Sequence, residues 1–389
     1  MRIAFNAQLL SFDQGYRSAG ISRYTEHMLA SLAPLLGGDS CYAFVGPGVP
    51  MDAPALGGLR VIRTGLPTER PIVRILWEQM VLPLALRRLN VDLVHAPAYV
   101  APLAFPGASV VTFHDLSFYL MPDAFNRSNR VYLQNFSRWT ARRARRSIAV
   151  SESTRQDMVR LLGVSPSTID VVYNGIDECF RPEPDPRRIE RFRQAKGLPE
   201  RFILFLGTIE PRKNVPALVR AYARARQRGV SAPLVIAGGQ GWGGESIAQI
   251  VEELGLAGTV RLTGFIPSDE RPLWYNAATL FAYPSRYEGF GLPVAEAMAC
   301  GTAVVASNRS SLPEVVGDAG ALVDPDDVAA LADALVTVAG DSALRRELAA
   351  RGLERSQRFT WDAAARATLR SYRTALAVPP AALPGVKRD

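Results

Sequence analysis

The chain has 389 residues, of which 48% are hydrophobic and 21% are charged. This length exceeds that of one ordinary domain, and the composition excludes an intrinsically disordered or fibrous protein, so two globular domains are expected. The formal net charge of +8 suits an anionic ligand or an acidic membrane surface, and a solvated basic surface explains so small an excess equally well.

The cysteine count and the hydropathy pattern indicate the compartment. Cys41, Cys179 and Cys300 lie far apart and predict neither a disulfide framework nor a metal site. The N-terminal sequence has no signal-peptide pattern, and no apolar run of about 18 residues predicts a spanning helix. We therefore expect a cytoplasmic protein.

Strands and helices alternate in the first half of the chain. Short apolar runs predict strands, and the amphipathic runs between them predict helices. The predicted strands are 2–6, 92–96, 109–114, 147–151 and 169–174, and the predicted helices are 20–34, 72–89, 128–145 and 153–162. This alternation predicts a parallel sheet that is covered by helices on both faces.

A stretch rich in proline and charge separates this half from a second, similar half. We predict a linker over 181–196, after which the alternation begins again. The predicted strands are 202–207, 233–238, 259–264, 279–284 and 302–307, and the predicted helices are 214–228, 244–254, 268–275, 293–300, 326–338 and 341–355. A last amphipathic stretch covers 361–376.

The predicted fold class is therefore α/β, with two doubly wound, Rossmann-like parallel-sheet domains. We place the first domain at 1–180, the second at 197–360, and a flexible tail at 379–389. Ligands of such sheets bind beyond the carboxyl ends of the strands. If both domains turn those ends toward each other, the cleft between them is the site.

A glycine-rich loop follows the predicted strand 279–284, in the sequence YPSRYEGFGLPVAEAMACG. Gly289 and Gly291 allow backbone N–H groups to approach a ligand closely, and the dipole of the following helix favours an anion there. Such a loop is by itself a weak signal for phosphate binding.

Two adjacent cations, Arg212 and Lys213, follow strand 202–207 in the sequence GTIEPRKN. They stand at the predicted start of a helix, where the helix dipole disfavours positive charge. A bound diphosphate would explain them, and the alternative is that both are exposed surface residues.

Two glutamates, Glu288 and Glu296, flank the glycine-rich loop, where their charge would repel a phosphate. A carboxylate accepts two hydrogen bonds from vicinal sugar hydroxyls. If one glutamate holds a ribose and the other a transferred sugar, the ligand is a nucleotide sugar. The alternatives are that Glu296 stabilises its own helix start and that Glu288 is a solvated loop residue.

The segment EGFGLPVAE resembles the motif of two glutamates separated by seven residues in retaining GT-B glycosyltransferases of family four. Other stretches resemble the same family and occur in its order, over about residues 1–375: GISRYTEHML, VTFHDLSF, AVSESTRQDM, VVYNGID, GTIEPRKN, LTGFIP and ACGTAVVAS. The resemblance implies the GT-B fold, with two Rossmann-like domains facing across a cleft. It also implies that a helix at about 361–378 packs back on the first domain.

The resemblance implies a role for each matching residue. Glu288 would face the transferred sugar near its reacting carbon, and Glu296 would hold the ribose hydroxyls. Arg212 and Lys213 would neutralise the leaving diphosphate, and His114 would lie beside the donor sugar. Further contacts with the diphosphate, sugar or base would come from Gly20, Gly207, Phe265, Gly289, Phe290, Gly291 and Leu292.

The sequence departs from the family pattern after Gly207. Many members carry a glycine and a basic residue there, whereas Thr208 and Ile209 follow in this chain. One diphosphate cation is therefore missing or supplied elsewhere, so Arg212 and Lys213 would carry more of the charge.

The chain has only three histidines, and a lone histidine is more often structural than catalytic. The position of His114 after a strand and its match to the family favour a functional role. His95 is either structural or lines the acceptor side. No cofactor or metal is expected, because the only Asp-x-Asp pattern, DPDD at 324–327, precedes a helix, where aspartate is an ordinary cap.

The resemblance implies a retaining hexosyltransferase without a protein nucleophile, and we expect it to be metal-independent. The sequences GTIEPRKN and HDLSF look like those of bacterial mannosyltransferases of surface polysaccharides, so GDP-mannose is the first expected donor and a UDP-hexose is the alternative. The acceptor would be a glycan or a lipid-linked sugar. The stretch 70–89 mixes arginine with large apolar residues, so it either docks on the inner membrane or forms core-packing helices.

Other classes of function stay open at this point. They are a GT-B sugar-nucleotide epimerase, a phosphorylase, and a non-catalytic protein that binds sugar nucleotides. A glycosidase also uses paired carboxylates but needs no diphosphate cations. Nucleic acid is not an expected partner, because the chain shows no basic face interleaved with aromatic residues.

Overall fold

The computed structural model describes residues 1–12, 20–36, 40–239, 241 and 246–377. The chain divides into two units, of which the second is Gly175–Thr360. The first unit combines Met1–Asn174 with the C-terminal segment that begins at Trp361. The flexible tail predicted at 379–389 lies outside the described residues.

Each unit is built on one parallel sheet. In the described residues, the first sheet has the order β3-β2-β1-β4-β5-β6-β7 and the second has the order β10-β9-β8-β11-β12-β13. The strands are β1 (Arg2–Ala7), β2 (Ser40–Val45), β3 (Arg60–Arg63), β4 (Leu93–Ala96), β5 (Ala108–Phe113), β6 (Arg146–Ala149), β7 (Ile169–Val171), β8 (Ile203–Leu206), β9 (Leu234–Ala237), β10 (Val260–Gly264), β11 (Leu280–Tyr283), β12 (Val304–Ser307) and β13 (Ala321–Val323). The predicted doubly wound α/β fold is confirmed.

Helices connect the strands in both units. They are α1 (Gly20–Leu32), α2 (Pro71–Leu76), α3 (Leu82–Arg88), α4 (Ser117–Leu120), α5 (Arg127–Arg143), α6 (Glu152–Asp157), α7 (Pro186–Lys196), α8 (Val215–Gln227), α9 (Ile247–Glu253), α10 (Arg271–Ala277), α11 (Leu292–Ala299), α12 (Leu312–Val316), α13 (Val328–Gly340), α14 (Ser342–Ser356) and α15 (Trp361–Ala377). Helix α15 completes the first unit although it follows the second unit in the chain.

Strand β1 has an apolar face on each side of the first sheet, because successive side chains point to opposite faces. Ile3 and Phe5 join a core that includes residues of α1 and α15. Ala4 joins a separate core with Trp77 and Leu82 on the other face. The sheet is therefore buried on both sides, as a parallel sheet requires.

The linker predicted over 181–196 is wrong for its second part, which forms α7. Asp185 caps this helix by accepting a hydrogen bond from Arg187 N at 3.0 Å, and Gly197 ends it with a φ of 61°. Ile189 and Phe192 lie three residues apart on one face and pack into the core of the second unit. Because the other face carries many charges, the sequence pattern did not reveal this short apolar stripe.

The helix predicted over 72–89 is continuous in space but changes its hydrogen-bonding pattern in the middle. A π-helical turn, Trp77–Val81, separates α2 from α3. Trp77 and Leu82 are buried, whereas Ile72 and Met80 are 74% and 65% exposed. Among the described residues, no helix combines the length and the apolar character needed to cross a membrane.

His95 lies at the centre of a buried hydrogen-bond chain in the first unit. Its Nδ1 is 2.6 Å from the hydroxyl of Tyr372 on α15, and its Nε2 is 2.8 Å from Oγ1 of Thr112 on β5. The hydroxyl of Tyr24 on α1 continues the chain, 3.0 Å from the same Oγ1. His95 has no exposed surface. Both ring nitrogens of His95 therefore have partners within the protein, which favours the structural alternative over a place on the acceptor side.

We expect His95 to make stability depend on pH. Burial lowers its pKa from 6.5 to about 3, so below pH 6.5 the unfolded chain binds a proton that the folded chain does not. The unfolding free energy should therefore fall as the pH drops toward 3, by at most about 1.4 kcal/mol per pH unit from this residue. We expect the unfolding free energy, measured by denaturant titration between pH 7.5 and 5, to change less with pH in His95→Gln than in the wild type.

Tyr372→Phe serves as the control, because it removes one partner of His95 but keeps the titrating ring. It should be less stable than the wild type and keep the pH slope. An unchanged slope in His95→Gln would show that the residue does not carry this dependence.

Candidate functional site

The predicted charged residues of the second unit follow two neighbouring strands, β8 and β11. These strands pair in parallel, with Ile203 opposite Leu280, and the strand order reverses between them. The carboxyl edge at such a reversal is the usual ligand-binding position of a doubly wound sheet. The loops that leave β8 and β11 therefore meet where a site is expected.

The loop after β8 turns Lys213 inward. Pro211–Lys213 forms a 3₁₀ turn, and Asn214 then adopts a left-handed conformation with a φ of 56°, which asparagine tolerates better than most residues. Asn214 Nδ2 donates to the carbonyl oxygen of Pro325 at 2.6 Å. Lys213 is only 5% exposed as a result.

Lys213 binds Glu288 directly. Its Nζ donates to Glu288 Oε1 at 2.6 Å and also to the hydroxyl of Tyr283. The Nζ lies 4.9 Å from the centre of the Tyr283 ring, which adds a cation–π contact. The lysine is therefore held by the loop and the end of β11 together.

Arg212 binds the other oxygen of the same carboxylate. Its Nη1 donates to Glu288 Oε2 at 2.8 Å and to the carbonyl oxygen of Tyr287 at 3.1 Å. Its Nε lies 2.5 Å from Oε1 of Glu210. The two cations thus have carboxylate partners within the protein, and the alternative that both are exposed surface residues is wrong.

Hydroxyl groups fix Glu288 from its other sides. Ser285 Oγ donates to Glu288 Oε1 at 2.7 Å, and Ser311 Oγ donates to the Glu288 carbonyl oxygen at 2.9 Å. Ser310 Oγ accepts from the Glu288 backbone N–H at 3.2 Å and donates to its carbonyl oxygen at 2.5 Å. Glu288 is 6% exposed, so the alternative of a solvated loop residue is also wrong.

The charge state of Glu288 follows from these contacts. Burial alone would raise its pKa, but Arg212, Lys213 and the hydrogen bonds outweigh burial and lower the pKa to about 2. Burial and the nearby Arg212 lower the pKa of Lys213, against the opposing effect of Glu288. Glu288 is therefore ionised at neutral pH, and it acts as a hydrogen-bond acceptor and a source of negative potential, not as a proton donor.

Glu296 lies on α11 and binds a different set of partners. Its Oε2 accepts from the hydroxyl of Tyr275 at 3.0 Å and from Arg271, and both partners lie on α10. Glu296 is 2% exposed and lies beyond the first turn of α11. The alternative that it stabilises its own helix start is therefore wrong, and its ribose-binding role stays a prediction.

Two positions of the glycine-rich loop, Phe290 and Gly291, can offer a ligand only their backbone. Gly291 has a φ of 99°, and a Cβ there would lie 2.5 Å from Leu312 Cδ2, so glycine is required. Phe290 is 3% exposed and packs edge-on against Phe359, with ring centres 5.3 Å apart. Gly289 is buried, and Leu292 is half-buried.

Gly207 and Phe265 lie at the carboxyl ends of β8 and β10. The ends of β8 and β9 approach so closely that a Cβ on Gly238 would lie 2.0 Å from the carbonyl oxygen of Gly207. Phe265 is 68% exposed, which leaves its ring available for stacking.

His114 and Gly20 belong to the first unit. His114 follows β5, and its Nε2 donates to the carbonyl oxygen of Pro97 at 2.7 Å. The ring of Tyr24 packs edge-on against it, with ring centres 4.7 Å apart. Burial lowers the pKa of His114, so the ring is neutral at pH 7 and Nδ1 is an acceptor. Gly20 is exposed and begins α1, and residues 13–19 before it lie outside the described residues.

The structure thus joins Arg212, Lys213 and Glu288 in one cluster and holds Glu296 separately against α10. The sequence analysis missed the residues that position these carboxylates: Tyr283, Ser285, Ser310, Ser311, Arg271 and Tyr275. Ser285 lies in the same quoted stretch as Glu288, so its place after β11 was a usable signal. In the DPDD segment, Asp327 caps α13 by accepting from Ala329 N and Ala330 N, as predicted.

Comparisons with known proteins identify the family of the chain. The family Glycosyl transferases group 1 matches residues 186–355, and Glycosyltransferase Family 4 matches residues 18–179. The O-antigen chain mannosyltransferase B of Escherichia coli is 33% identical over 290 residues, which cover 74% of this chain and 76% of that protein. The chain belongs to the family 4 glycosyltransferases.

A second sequence relative of this glycosyltransferase and one solved structure of similar fold extend the comparison. The serotype-specific mannosyltransferase WbdA of Escherichia coli is 36% identical over 226 residues, which cover 56% of the glycosyltransferase but only 27% of WbdA. The Anabaena protein HepE, solved in complex with UDP and glucose, superposes with a TM-score of 0.73 at 22% identity, over 96% of the glycosyltransferase and 100% of HepE. The glycosyltransferase therefore has the GT-B fold.

We expect the pair Lys213–Glu288 to be strongly coupled in the stability of the glycosyltransferase. Removing one partner leaves a buried charge with fewer partners, so Lys213→Met and Glu288→Gln should not be additive. A double-mutant cycle by chemical denaturation should give a coupling energy of about 2 kcal/mol.

The exposed pair Arg228–Asp333, with side chains 50% and 64% exposed, provides the matched control in the same unit. Its cycle should give no more than about 0.5 kcal/mol. Equal coupling energies for the two pairs would contradict the tight clamp on Glu288.

Proposed function

We propose that the chain is a retaining hexosyltransferase that transfers mannose from GDP-mannose to a glycan or lipid-linked acceptor during the synthesis of a surface polysaccharide. The observation that carries the proposal is the buried carboxylate of Glu288, which Arg212 and Lys213 clamp at the strand-order reversal of the second sheet. The similarity to E. coli mannosyltransferases supports mannose and the polysaccharide acceptor.

The reaction exchanges two bonds at the anomeric carbon of the sugar. The bond from this carbon to the diphosphate oxygen breaks, and a bond to the acceptor oxygen forms on the same face. The acceptor proton passes to the departing diphosphate oxygen, so no protein nucleophile is needed. In the transition state, negative charge grows on the diphosphate and positive charge grows on the sugar.

Lys213 is suited to stabilise the diphosphate without releasing Glu288. An ammonium group has three N–H donors, and the contacts with Glu288 and Tyr283 use two of them. The third donor is then available to a diphosphate oxygen. Because the site is buried, such a preorganised charge is worth more than it would be in water.

Glu288 supplies the opposite charge. Its pKa of about 2 keeps it ionised throughout the physiological range, so its potential favours positive charge on the sugar in the transition state. In the first unit, the neutral His114 would accept a hydrogen bond from a hydroxyl of the donor sugar through Nδ1. Glu296 would hold the ribose, with Arg271 fixing the orientation of its carboxylate.

A UDP-hexose is the alternative donor, because the Anabaena relative was solved with UDP and glucose. A donor that binds the folded chain stabilises it by mass action, so thermal-shift measurements with GDP-mannose, GDP, UDP-glucose and UDP should identify the nucleotide. Stabilisation by none of these would contradict the proposed class of donor.

The reaction type is tested by its products. Acceptor-dependent release of nucleoside diphosphate would exclude an epimerase and a non-catalytic binding protein, and inorganic phosphate as the only effective acceptor would indicate a phosphorylase. The anomeric configuration of the product, read by NMR, tests retention. Undiminished turnover in excess chelator tests metal independence.

We expect Glu288→Gln to lower kcat by about 100-fold, because removing one preorganised electrostatic group typically costs roughly 3 kcal/mol in the transition state. Lys213→Ala should have a similar effect, and it should also weaken the stabilisation by nucleoside diphosphate. Steady-state release of nucleoside diphosphate measures both effects.

Lys196→Ala is the matched control, since Lys196 is a partly exposed lysine of the same unit that pairs with Glu270. Its kcat should stay within twofold of the wild type. A Glu288→Gln enzyme within threefold of the wild type would count against the assigned role.

We also propose a peripheral contact between the first unit and an anionic membrane. The surface that we call the α2–α3 face exposes five apolar side chains, and Arg87 and Arg88 lie in the last turn of α3. The exposed apolar residues of the face are Ile72, Leu76, Met80, Val81 and Leu84. Apolar residues that enter the lipid headgroup region next to arginines are the pattern of an interfacial helix.

We expect Leu76→Glu/Met80→Glu to abolish flotation with anionic phosphatidylglycerol vesicles at low salt, because two charges would enter the apolar part of the contact. Leu254→Glu, at a 42% exposed leucine of the second unit, should float like the wild type. Failure of the wild type to float would reject the membrane contact.

A further inference from the structure

A second polar cluster lies at the carboxyl edge of the first sheet and has no place in the reaction described above. It consists of Asn6 on β1, Gln8 just after β1, Thr68 in the loop before α2, Arg74 on α2 and Glu78 in the π turn. We call it the β1-edge cluster. The cluster lies where β1 ends, and ligands of doubly wound sheets bind beyond the carboxyl ends of the strands.

The cluster is buried but only partly hydrogen-bonded. Asn6 Nδ2 donates to Glu78 Oε1 at 3.1 Å, and Arg74 Nε lies 3.8 Å from the same oxygen. Among the described residues, five buried polar atoms of the cluster have no hydrogen-bond partner: Asn6 Oδ1, both amide atoms of Gln8, Thr68 Oγ1 and Arg74 Nε. Asn6, Gln8, Thr68 and Glu78 are each more than nine-tenths buried.

Two of these atoms converge on one point. Gly46 follows β2, and a Cβ placed on it would lie 3.4 Å from Thr68 Oγ1 and 3.9 Å from Gln8 Oε1. Asn6 lies on β1, and Gln8 follows two residues later, just after the strand ends. Thr68 Oγ1 and Gln8 Oε1 therefore both lie beside Gly46.

The chemistry of the cluster limits the kinds of ligand that it can bind. Buried polar groups without partners are destabilising, and they are rare in folded proteins unless a ligand or a water satisfies them. The single cation, Arg74, faces the carboxylate of Glu78, so the cluster does not favour a phosphate. Amide, hydroxyl and carboxylate groups without excess charge suit the neutral hydroxyls of a sugar.

We propose that the β1-edge cluster binds the hydroxyl groups of the acceptor sugar. Gln8 donates to and accepts from neighbouring hydroxyls, Asn6 Oδ1 and Glu78 accept from them, and Thr68 Oγ1 completes the set. The inference rests on the proposed function and adds to it the residues that select the acceptor.

The loop before α2 forms the outer wall of the cluster. Thr68 is 1% exposed, whereas the residues on both sides of it, Pro67 and Glu69, are exposed. Of these three residues, only Thr68 therefore belongs to the cluster.

Two apolar substitutions of similar shape test the inference, Gln8→Leu and Thr68→Val. Each removes unpartnered polar atoms, so neither should lower the melting temperature of the full chain. Each should raise the KM for methyl α-mannopyranoside as acceptor, by about tenfold or more for Gln8→Leu and by about threefold or more for Thr68→Val. The KM for the donor should stay within twofold.

Thr368→Val is the matched control. Thr368 Oγ1 is also buried and has no hydrogen-bond partner among the described residues, but it lies on α15, which packs on the opposite face of the first sheet. This variant should change neither KM. An equal rise in the acceptor KM for Thr68→Val and Thr368→Val would overturn the inference, because the effect would then not depend on the cluster.

Crystals of the full chain soaked with the methyl glycosides of mannose, glucose and galactose provide an independent readout. Sugar hydroxyls within hydrogen-bond distance of Gln8 and Asn6 are the expected result. Ordered water in the cluster with all three glycosides, or acceptor KM values within twofold of the wild type in both cluster variants, would overturn the inference. If the proposed function itself is wrong, the thermal-shift measurements will show that no nucleotide sugar stabilises the wild type. That result is distinct from a failure of the acceptor assignment.

Discussion

A buried carboxylate held between two cations joins the two loops that form the candidate site. Neither Glu288 nor Lys213 is tolerable there alone, because a buried charge without a partner costs several kcal/mol. Glu288 satisfies Lys213 and Arg212, and they in turn keep it ionised in a place where burial favours its neutral form. The loops after β8 and β11 therefore adopt their conformations together. The ion pairs set the position of Glu288, and the hydrogen bonds from the surrounding serines fix its orientation.

The two units place different chemistry at the same position of a shared strand order. In the second unit, the carboxyl edge beside the strand-order reversal carries charged groups, which suit a diphosphate and a developing positive charge. In the first unit, the edge beside β1 carries amides, a hydroxyl and one internally compensated ion pair, which suit neutral hydroxyls. One scaffold can thus divide the recognition of an activated sugar from the recognition of its acceptor by the polarity of a few loop residues.

The sequence predicted what depends on local pattern and missed what depends on distant partners. The apolar runs of β1, β5, β8 and β11 were sufficient to predict the alternating α/β fold, whereas the short apolar stripe of α7 was hidden among charges. Lys213 and Glu288 were both identified, but as contacts of a ligand, because nothing local indicates a bond between residues 75 positions apart. The contact of Arg271 with Glu296 has no local signature at all, since neither its helix nor its spacing distinguishes it from a surface arginine.

The hydrogen bond from His95 to Tyr372 spans 277 positions of the chain and crosses the whole second unit in sequence. The whole second unit is therefore synthesised before the first unit can acquire α15. Domains that are continuous in sequence can fold as they emerge, from the N-terminal end onward. Here the N-terminal unit emerges first, but the apolar residues that pack against α15 lack these partners until the second unit has been synthesised.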